Sequence, residues 1–371
     1  MRMMFAARAM DNMAGGVERM IVAIMNEMAR RGHDVALFSW DREAAEAFYP
    51  LDPRVRWYKL NLGNPASKAG FGLRLRRARR VRRLVREFAP EVIAGFQGGA
   101  FRAMWLYTLG LGVPVIAAER TAPSLYDHAS TERNRRIELF SFRFAKAITV
   151  QFDRYRAGYP GYLQHKIVET PNPVPEAERH ATPDAPGADG RFTLLSVGRL
   201  GYQKNFQVLL AAFERLAPRF PDWDLRIVGE GEDRAQLESI VTNSSQLAGR
   251  VFLPGATRDI AAEYVGAQLF CLPSRWEGFP NALAEALAHG LPSVGFEECS
   301  GVPDLIENGR SGTLATGMNE PDSLAQALSV PMADAGLRKA QGRSAVLTMR
   351  QYRPEECFDR WEQVLVQAVP T

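Results

Sequence analysis

Short apolar runs alternate along the chain with amphipathic helical patterns, and this alternation limits the fold more than any other feature. Helices that cross between buried strands favour a parallel sheet with helices on both faces. The alternation is interrupted once, by the aperiodic segment PEAERHATPDAPGADG. We therefore predict an α/β protein with two doubly wound, Rossmann-like domains. The predicted strands are MMFAA, VALFS, VRWYKL, VIAGF, VPVIAA and AITVQ before the interruption, and FTLLSVG, DLRIVG, VFLPG, LFCLPS and LPSVGF after it.

The interruption sets the predicted domain boundaries. A chain of 371 residues suits two domains of about 150–200 residues each. Residues 1–174 form the first predicted domain, residues 175–190 a linker rich in Pro, Ala and Gly, and residues 191–352 the second domain. The last helical pattern, within residues 353–371, is a candidate to pack back on the first domain. We expect the two domains to face a central cleft.

Composition excludes several classes of protein. The three cysteines lack the spacing of a disulfide framework or a redox motif, which indicates a reducing, cytoplasmic setting. The five histidines are scattered, so no metal site is predicted. The chain shows no signal peptide, and no run approaches the ~20 apolar residues of a membrane span. We expect a protein that is soluble or peripheral to a membrane.

Residues 74–86 carry eight arginines and no acid, although the whole chain has a net charge of only +4. The apolar positions of this segment (Leu75, Ala78, Val81, Val85 and Phe88) have helical spacing, so part of the helix must pack on a core. The simplest alternative is a solvated helix face. Near an anionic bilayer each arginine contributes ~1 kcal/mol, whereas nucleic-acid binding is disfavoured because no stacking aromatics or binding motif accompany the charges. The arginines predicted to face the membrane are Arg74, Arg76, Arg77, Arg79, Arg80, Arg82, Arg83 and Arg86.

Two glycine-containing turns lie where ligands of doubly wound sheets bind, at the carboxyl ends of strands. Gly15-Gly16 follows the first strand and precedes a helix, an arrangement that suits a phosphate but is equally typical of a plain turn. Arg199 and Lys204 flank the loop after FTLLS. Two cations at this spacing can converge on a diphosphate, with solvated charges as the alternative.

The segment SRWEGFPNALAEALAHG places Glu277 before a helix and Glu285 within it. Eight residues of helix span roughly 12 Å, whereas carboxylates that act together on one sugar carbon lie about 5–10 Å apart. A glycosidase-like pair is therefore disfavoured. Two anchors on a ligand as long as a nucleotide-sugar fit better, with the helix start on the phosphates. Glu285 alone is also compatible with a solvated helix residue.

The chain resembles the family-4 retaining glycosyltransferases, the glycosyl transferases of group 1, which have the GT-B fold. The matching segments run from about residue 15 to residue 312 and are GGVER, PNPV, SVGRLGYQKNF, VGEGEDR, FLPG and SRWEGFPNALAEALAHGLPSV. The resemblance implies retaining, metal-independent transfer of a sugar from a nucleotide-diphosphate sugar. The nucleotide-sugar is a substrate, so no cofactor is expected. UDP is the expected nucleotide, with GDP as the alternative.

The resemblance also implies roles for individual residues. Arg199 and Lys204 would hold the diphosphate and stabilise the leaving nucleotide, and Glu277 would contact the hydroxyls of the donor sugar. Glu285 would hold the ribose, while Thr257 and Arg258 would lie near the base. The remaining residues expected to bind the donor are Gly15 and Gly16, from the first domain, and Gly278, Phe279, Pro280, Asn281, Ala282 and Leu283.

One segment departs from the family pattern. Many relatives carry a histidine after the strand written here as VPVIAA, where this chain has Glu119-Arg120-Thr121. Glu119 either takes a polar, catalytic role near the reacting carbon or forms an ion pair with Arg120. The E-R-x-x-P pattern resembles a subgroup that builds bacterial surface polysaccharides. The expected acceptor is a lipid-linked glycan. A transferase that acts on such an acceptor would place the basic helix against the membrane, so we expect peripheral attachment to the inner face of the plasma membrane.

Two other functional classes are compatible with the pattern. An NAD(P)-dependent oxidoreductase would also use two dinucleotide-type domains, but the full G-x-G-x-x-G fingerprint is missing. A catalytically silent scaffold that binds anionic membranes would need only the basic helix.

Overall fold

The computed structural model describes residues 1–63, 70–123 and 132–370. It divides into two compact units. Met1–Pro173 and Pro354–Thr371 form the first unit, and Val174–Arg353 form the second. Each unit contains one parallel β-sheet with helices in the crossover connections. The two units are therefore separate folds of the same type.

The first unit contains a seven-stranded sheet. Its strands are β1 (Arg2–Ala7), β2 (Asp34–Ser39), β3 (Arg56–Lys59), β4 (Val92–Phe96), β5 (Val115–Ala118), β6 (Ile148–Val150) and β7 (Ile167–Glu169). Its helices are α1 (Gly16–Arg30), α2 (Phe71–Phe88), α3 (Gln97–Thr108), α4 (Glu132–Phe142), α5 (Gly161–Gln164) and the C-terminal helix (Pro354–Gln367), with a 3₁₀ turn at Asp153–Gly158.

The second unit contains a six-stranded sheet. Its strands are β8 (Phe192–Val197), β9 (Trp223–Val228), β10 (Val251–Gly255), β11 (Leu269–Leu272), β12 (Ser293–Phe296) and β13 (Gly312–Ala315). Its helices are α6 (Phe206–Leu216), α7 (Arg234–Asn243), α8 (Ile260–Gly266), α9 (Asn281–Ala288), α10 (Val302–Leu305), α11 (Pro321–Ala333) and α12 (Ala335–Met349), followed by a 3₁₀ turn at Arg350–Tyr352.

Both sheets are parallel and have the same connectivity. Their strand orders are β3-β2-β1-β4-β5-β6-β7 and β10-β9-β8-β11-β12-β13. In each sheet the winding reverses between two central strands, β1 and β4 in the first unit and β8 and β11 in the second. The predicted pair of doubly wound, Rossmann-like sheets is confirmed. The two reversal points are the places where such sheets bind ligands.

The sequence pattern missed the last strand of each sheet. β7 has only three residues and β13 only four. Each lies at a sheet edge, and Val168 of β7 is 37% exposed. Their sequences, IVE and GTLA, contain only two apolar residues each, too few to read as an apolar run, and pairing with a neighbour rather than local preference stabilises them.

Tertiary packing decides where the C-terminal helix and residues 175–190 belong. The ring of Trp361, in the C-terminal helix, is fully buried and stacks on Phe96 at 5.8 Å between centroids. Residues 175–190 lie on the second unit, where Ala181 N donates to His289 O at 2.8 Å and Arg338 Nε to Pro183 O at 2.6 Å.

The basic helix α2 packs on the first unit through a stripe that shares Val81, Val85 and Phe88 with the predicted one. Its buried side chains are Arg77, Val81, Leu84, Val85 and Phe88, whereas Leu75 is 43% exposed. Arg77 was predicted to face a membrane, but it lies four residues before Val81 on the buried stripe, and its Nε and Nη2 donate to Leu62 O at 3.0 and 2.9 Å.

Arg82 is partly buried, and its Nη1 donates to Tyr107 O at 3.0 Å and Leu109 O at 2.8 Å, at the carbonyl-rich end of α3. The other six arginines of α2 are exposed. None of the described helices has the length and apolar character needed to cross a bilayer.

Candidate functional site

Two loops leave the carboxyl edge of the second sheet at its reversal point. One follows β8 and spans residues 198–205, and the other follows β11 and spans residues 273–280. Because β8 and β11 are paired neighbours, the two loops emerge side by side. Gly198 starts the first loop, and a Cβ there would lie 2.9 Å from Lys204 Cε. The missing side chain lets Lys204 fold back over the end of β8.

An ion pair between these loops is the centre of the site. Lys204 Nζ lies 2.6 Å from Glu277 Oε1, and the two side chains are only 17% and 8% exposed. Removing two charges from water is costly, and a buried charge that loses its partner strongly destabilises the folded protein. The structure thus brings together two of the four predicted catalytic residues and places them where ligands of such folds bind.

Arg199 belongs to a separate and much more exposed ion pair. Its side chain is 78% exposed and lies 3.1 Å from Glu232, which is 58% exposed. A backbone hydrogen bond, followed by the charge of Arg199, lowers the pKa of the Glu232 carboxyl. Arg199 and Lys204 were predicted to converge on one diphosphate. In this structure each pairs with its own carboxylate.

The glycines of residues 229–231 pack the neighbouring turn against the loop that carries Arg199. Gly229 has φ 148°, and a Cβ there would lie 1.9 Å from Gly198 O. A Cβ on Gly231 would lie 2.1 Å from Leu200 O, and Leu200 N donates to Glu230 O at 2.8 Å. These glycines are needed for close backbone contact.

Helix α9 carries the remaining predicted contacts of the SRWEGFPNALAEALAHG segment. Pro280 occupies its N-cap, and Phe279 is buried edge-on against Tyr352 at 5.6 Å. Glu285 Oε2 accepts a hydrogen bond from the hydroxyl of Tyr264 at 3.0 Å, and the Tyr264 side chain is fully buried. The carboxylate of Glu285 is therefore oriented by the core, which a freely solvated helix residue would not be.

Other residues predicted to bind the donor lie in the connections that follow β1 and β10. Gly15 is the N-cap of α1, and the Glu18 carboxylate covers it so closely that a Cβ on Gly15 would lie 2.1 Å from Glu18 Oε2. Burial raises the pKa of the Glu18 carboxyl. Thr257 and Arg258 are exposed after β10, where Thr257 Oγ1 accepts from Asp259 N at 3.1 Å. Asp259 in turn caps α8.

Glu119 and Arg120 lie at the carboxyl end of β5 and are both buried. Arg120 donates to the hydroxyls of Thr149 and Thr170 at 2.7 and 2.8 Å and to Thr170 O at 2.8 Å, and its guanidinium lies 5.0 Å from the centre of the Trp361 ring. Glu119 Oε1 has no hydrogen-bond partner among the described residues. Within the same ranges, no hydrogen-bonded ion pair joins Glu119 to Arg120.

The environment of Glu119 favours its neutral form. Burial, followed by the nearby charge of Glu138, raises the pKa of the Glu119 carboxyl to about 8, although Arg120 acts in the opposite direction. Burial also lowers the pKa of Arg120. A carboxyl group that is neutral near pH 7 can donate a hydrogen bond as well as accept one.

Two residues of the site carried no signal in the sequence: Tyr264, which orients Glu285, and Arg275, which belongs to the loop after β11 and binds the loop after β8. Tyr264 reads as an ordinary apolar position of a short helix, and Arg275 as a solvated charge. No local pattern distinguishes them, because their partners lie 21 and about 70 residues away along the chain.

Two family models match the chain. Residues 15–172 match the glycosyl transferase 4-like domain, and residues 191–334 match glycosyl transferases group 1. Together the two matches cover most of both units.

Several relatives match over almost their whole length. An uncharacterized glycosyltransferase of Haemophilus influenzae is 26% identical over 360 residues, 95% of this chain and 96% of the relative. The amylovoran biosynthesis glycosyltransferase AmsD of Erwinia amylovora is 25% identical with the same coverage. A Campylobacter jejuni α-1,4-N-acetyl-D-galactosaminyltransferase, whose name specifies a glycan on undecaprenyl diphosphate, is 24% identical, again with that coverage.

Solved structures share the fold. Sucrose-phosphate synthase from Thermosynechococcus elongatus superposes with a TM-score of 0.80 at 17% identity, covering 99% of this chain and 98% of that one. Anabaena HepE, solved with UDP and glucose, gives a TM-score of 0.76 at 17% identity, covering 98% and 99%. The fold is therefore that of the GT-B glycosyltransferases. The two family matches show further that the chain belongs to the group 1 glycosyltransferases.

Proposed function

We propose that this glycosyltransferase moves a sugar, with retention of configuration and without a metal ion, from a nucleotide-diphosphate sugar to a lipid-linked glycan. The observation that carries the proposal is the buried Lys204–Glu277 pair, 2.6 Å long, between the two loops at the reversal point of the second sheet. This pair places a fixed cation and a fixed carboxylate at one ligand-binding edge.

Each charged group at this edge suits one part of such a donor. The ammonium group of Lys204 neutralises negative charge that develops on the leaving diphosphate, which is work that a metal ion does in other transferases. Glu277 accepts hydrogen bonds from sugar hydroxyls. The start of α9, with its positive dipole end, favours the phosphates, and Glu285, held by Tyr264, suits the two hydroxyls of a ribose.

The descriptions of three similar proteins support the proposed donor and acceptor. Anabaena HepE was solved with UDP and glucose, which favours UDP over GDP. The Campylobacter jejuni relative is named for an acceptor on undecaprenyl diphosphate, and the Erwinia amylovora relative for the biosynthesis of a polysaccharide. We therefore propose a role in the assembly of a bacterial surface polysaccharide or glycolipid.

Glu119 is proposed to take part in the reaction as a polar group near the acceptor. Its carboxyl is buried at the end of β5, and Oε1 has no hydrogen-bond partner in the described part of the chain. A neutral carboxyl in that setting can bind a sugar hydroxyl as a donor or an acceptor.

The donor is tested by titrating the protein with UDP, GDP and NADH and following thermal unfolding, because a ligand that binds the native state raises the midpoint. We expect UDP to raise the midpoint most, an effect that Lys204→Ala should reduce. Transfer from UDP-sugars should continue in EDTA, and NMR of the product should show the anomeric configuration of the donor. A shift with NADH alone, or inversion at the anomeric carbon, would contradict the proposal.

A peripheral position on an anionic membrane is proposed for α2. Six of its arginines are exposed, and the same helix presents Phe71 at 85% exposure and Leu75 at 43%. Exposed apolar side chains among arginines are typical of helices that lie in the membrane interface. Arg77 is left out of this surface because it is buried.

The membrane proposal is tested by co-sedimentation with vesicles of phosphatidylglycerol and phosphatidylcholine. The test variant replaces Arg76, Arg79, Arg80 and Arg83 by Ser, and the control replaces the exposed Arg215, Arg219, Arg310 and Arg343 of the second unit, which changes the net charge equally. We expect only the first variant to lose binding, and binding should fall as salt rises. Equal losses in both variants would indicate a general charge effect instead.

A further inference from the structure

Arg275 belongs to the loop after β11 and binds the loop after β8, but it is not part of the Lys204–Glu277 pair. From the loop after β11, its main-chain N donates to Gln203 O at 2.9 Å, and its Nε donates to Tyr202 O at 3.1 Å. Its guanidinium also lies over the Tyr202 ring, 4.4 Å from the centroid. Arg275 therefore binds the loop after β8 through its main chain and its side chain together.

The two remaining nitrogens of Arg275 bind two asparagines. Nη2 donates to Asn205 Oδ1 at 2.7 Å, and Nη1 donates to Asn319 Oδ1, in the turn after β13. The triangle is closed because Asn205 Nδ2 donates to the same Asn319 oxygen at 2.9 Å. One guanidinium thus ties together the loops that follow β8, β11 and β13.

Asn205 connects this network to Lys204. It is the next residue along the chain, it is buried, and its backbone is left-handed with φ 57°, a conformation that asparagine tolerates better than most residues. Asn205 is also the N-cap position of α6. Whatever holds its side chain therefore fixes the turn from which the Lys204 side chain projects.

Glu277 is tied to the same network from the other side. It lies two residues after Arg275, and the intervening Trp276 accepts a hydrogen bond through its carbonyl from Gln203 Nε2 at 2.8 Å. The backbone on both sides of the Lys204–Glu277 pair is thus cross-linked within two residues of each charged group.

We infer that Arg275 is a positioning residue for sugar transfer, which sets the separation of Lys204 and Glu277 through Asn205, Asn319 and the Tyr202 carbonyl. The inference rests on the proposed function. The planar fork of a guanidinium can bind three acceptors in fixed directions, which a lysine cannot do. A small misplacement of catalytic groups lowers the rate strongly. We therefore expect the loss of this fork to lower kcat more than it lowers stability.

The test compares Arg275→Ala, Arg275→Lys and the control Arg215→Ala, in which a partly exposed ion pair with Asp322 on the same unit is removed. We expect kcat for sugar transfer to fall about 10- to 100-fold in Arg275→Ala. The thermal midpoint should change much less than the rate does, because Arg275 is only half-buried and Asn205 and Asn319 keep their own hydrogen bond in the variant. Arg275→Lys, which keeps the charge but loses the fork, should recover only part of the rate.

Two further readouts separate positioning from a loss of structure. Guanidinium ions, added below denaturing concentrations, should restore part of the activity of Arg275→Ala and leave that of Arg215→Ala unchanged. In the Lys204→Ala background, Arg275→Ala should slow transfer by much less than 10-fold, because the separation that Arg275 sets no longer exists without Lys204.

The outcomes distinguish this inference from the proposed function. If the unaltered protein transfers sugar and Arg275→Ala matches it, only the positioning role is overturned. Full additivity of the Arg275 and Lys204 effects would also overturn it. If the unaltered protein transfers no sugar from any nucleotide-sugar, the proposed function itself fails. Should Arg275→Ala fail to fold, wild-type turnover in Arg275→Lys would still refute the role of the fork.

Discussion

The two sheets have the same order of their first six strands, yet their carboxyl edges differ in how buried ionisable side chains are paired. In the second unit Lys204 and Glu277 neutralise each other at 2.6 Å, and the loops that carry them are tied by hydrogen bonds. In the first unit Glu119 Oε1 has no hydrogen-bond partner among the described residues, and Arg120 binds threonines instead.

The comparison shows that topology places side chains but does not decide their protonation. An ion pair between cross-linked loops holds both charges fixed, which suits a ligand whose own charge does not vary, such as a diphosphate. A buried carboxyl beside a second carboxylate is neutral over part of the working pH range, which suits a group that exchanges hydrogen bonds with a neutral hydroxyl. The same fold thus carries two kinds of polar site.

The largest effect should come from breaking the buried pair. Lys204→Ala should lower kcat for transfer at least 100-fold, or about 2.7 kcal/mol, because it removes the buried cation that is proposed to stabilise the leaving group. Arg199→Ala removes a cation of the same edge whose side chain is 78% exposed and should cost clearly less. Steady-state kinetics at saturating donor measure both. If Arg199→Ala costs more than Lys204→Ala, the buried pair is not the centre of the site.

The next effect should come from moving the loop without touching a charge. In Gly231→Ala the new Cβ would lie 2.1 Å from Leu200 O, so the backbone must shift. We expect the free energy of unfolding of the second unit to fall by about 1–3 kcal/mol, together with a loss of transfer. Gly266→Ala is the control, because its Cβ would have nothing within 4 Å. Chemical denaturation followed by fluorescence measures the difference.

Glu119 should make stability depend on pH in a direction opposite to that of a paired carboxylate. Its pKa is raised from 4.5 to about 8 in the native state, so the unfolded chain ionises first. The resulting loss of stability begins near pH 4.5, grows by at most about 1.4 kcal/mol per pH unit, and stops near pH 8. Thermal midpoints of the unaltered protein and of Glu119→Gln should therefore diverge in favour of the variant as the pH rises from 5 to 8.

A control for this pH dependence is Glu138→Gln. The charge of Glu138 contributes to the raised pKa of Glu119, so its removal should move the end of the divergence to lower pH. Parallel midpoint curves for the unaltered protein and Glu119→Gln would show that Glu119 is ionised in the native state at neutral pH.

The smallest effect should come from Tyr264→Phe. The variant removes one hydrogen bond to Glu285, whose net worth is about 1 kcal/mol. We expect KM for the donor to rise several-fold with kcat almost unchanged, because the proposed ribose contact would be made equally in the ground state and the transition state. A fall in kcat at constant KM would place Glu285 in the chemical step and not in ribose binding.

The fold was predictable from the sequence to the extent that local pattern governs it. Strands such as VIAGF and LFCLPS are buried on both faces and read as continuous apolar runs. β7 and β13 were missed because IVE and GTLA contain only two apolar residues each, too few to read as an apolar run. The predicted stripe of α2 lacked Arg77, which is buried by a partner, Leu62 O, that helical periodicity does not reveal.

The sequence by itself determined the two doubly wound sheets and the strand ends at which charged residues collect, because both follow from periodicity and from glycine-containing turns. Only the tertiary structure decided which charges meet. Lys204 pairs with Glu277, whereas Arg199 pairs with Glu232. Arg275 binds Asn205 and Asn319. Glu119 is buried without forming an ion pair to Arg120 in the described residues. Such partners are distant in sequence, and they are selected by packing and desolvation, which no local pattern encodes.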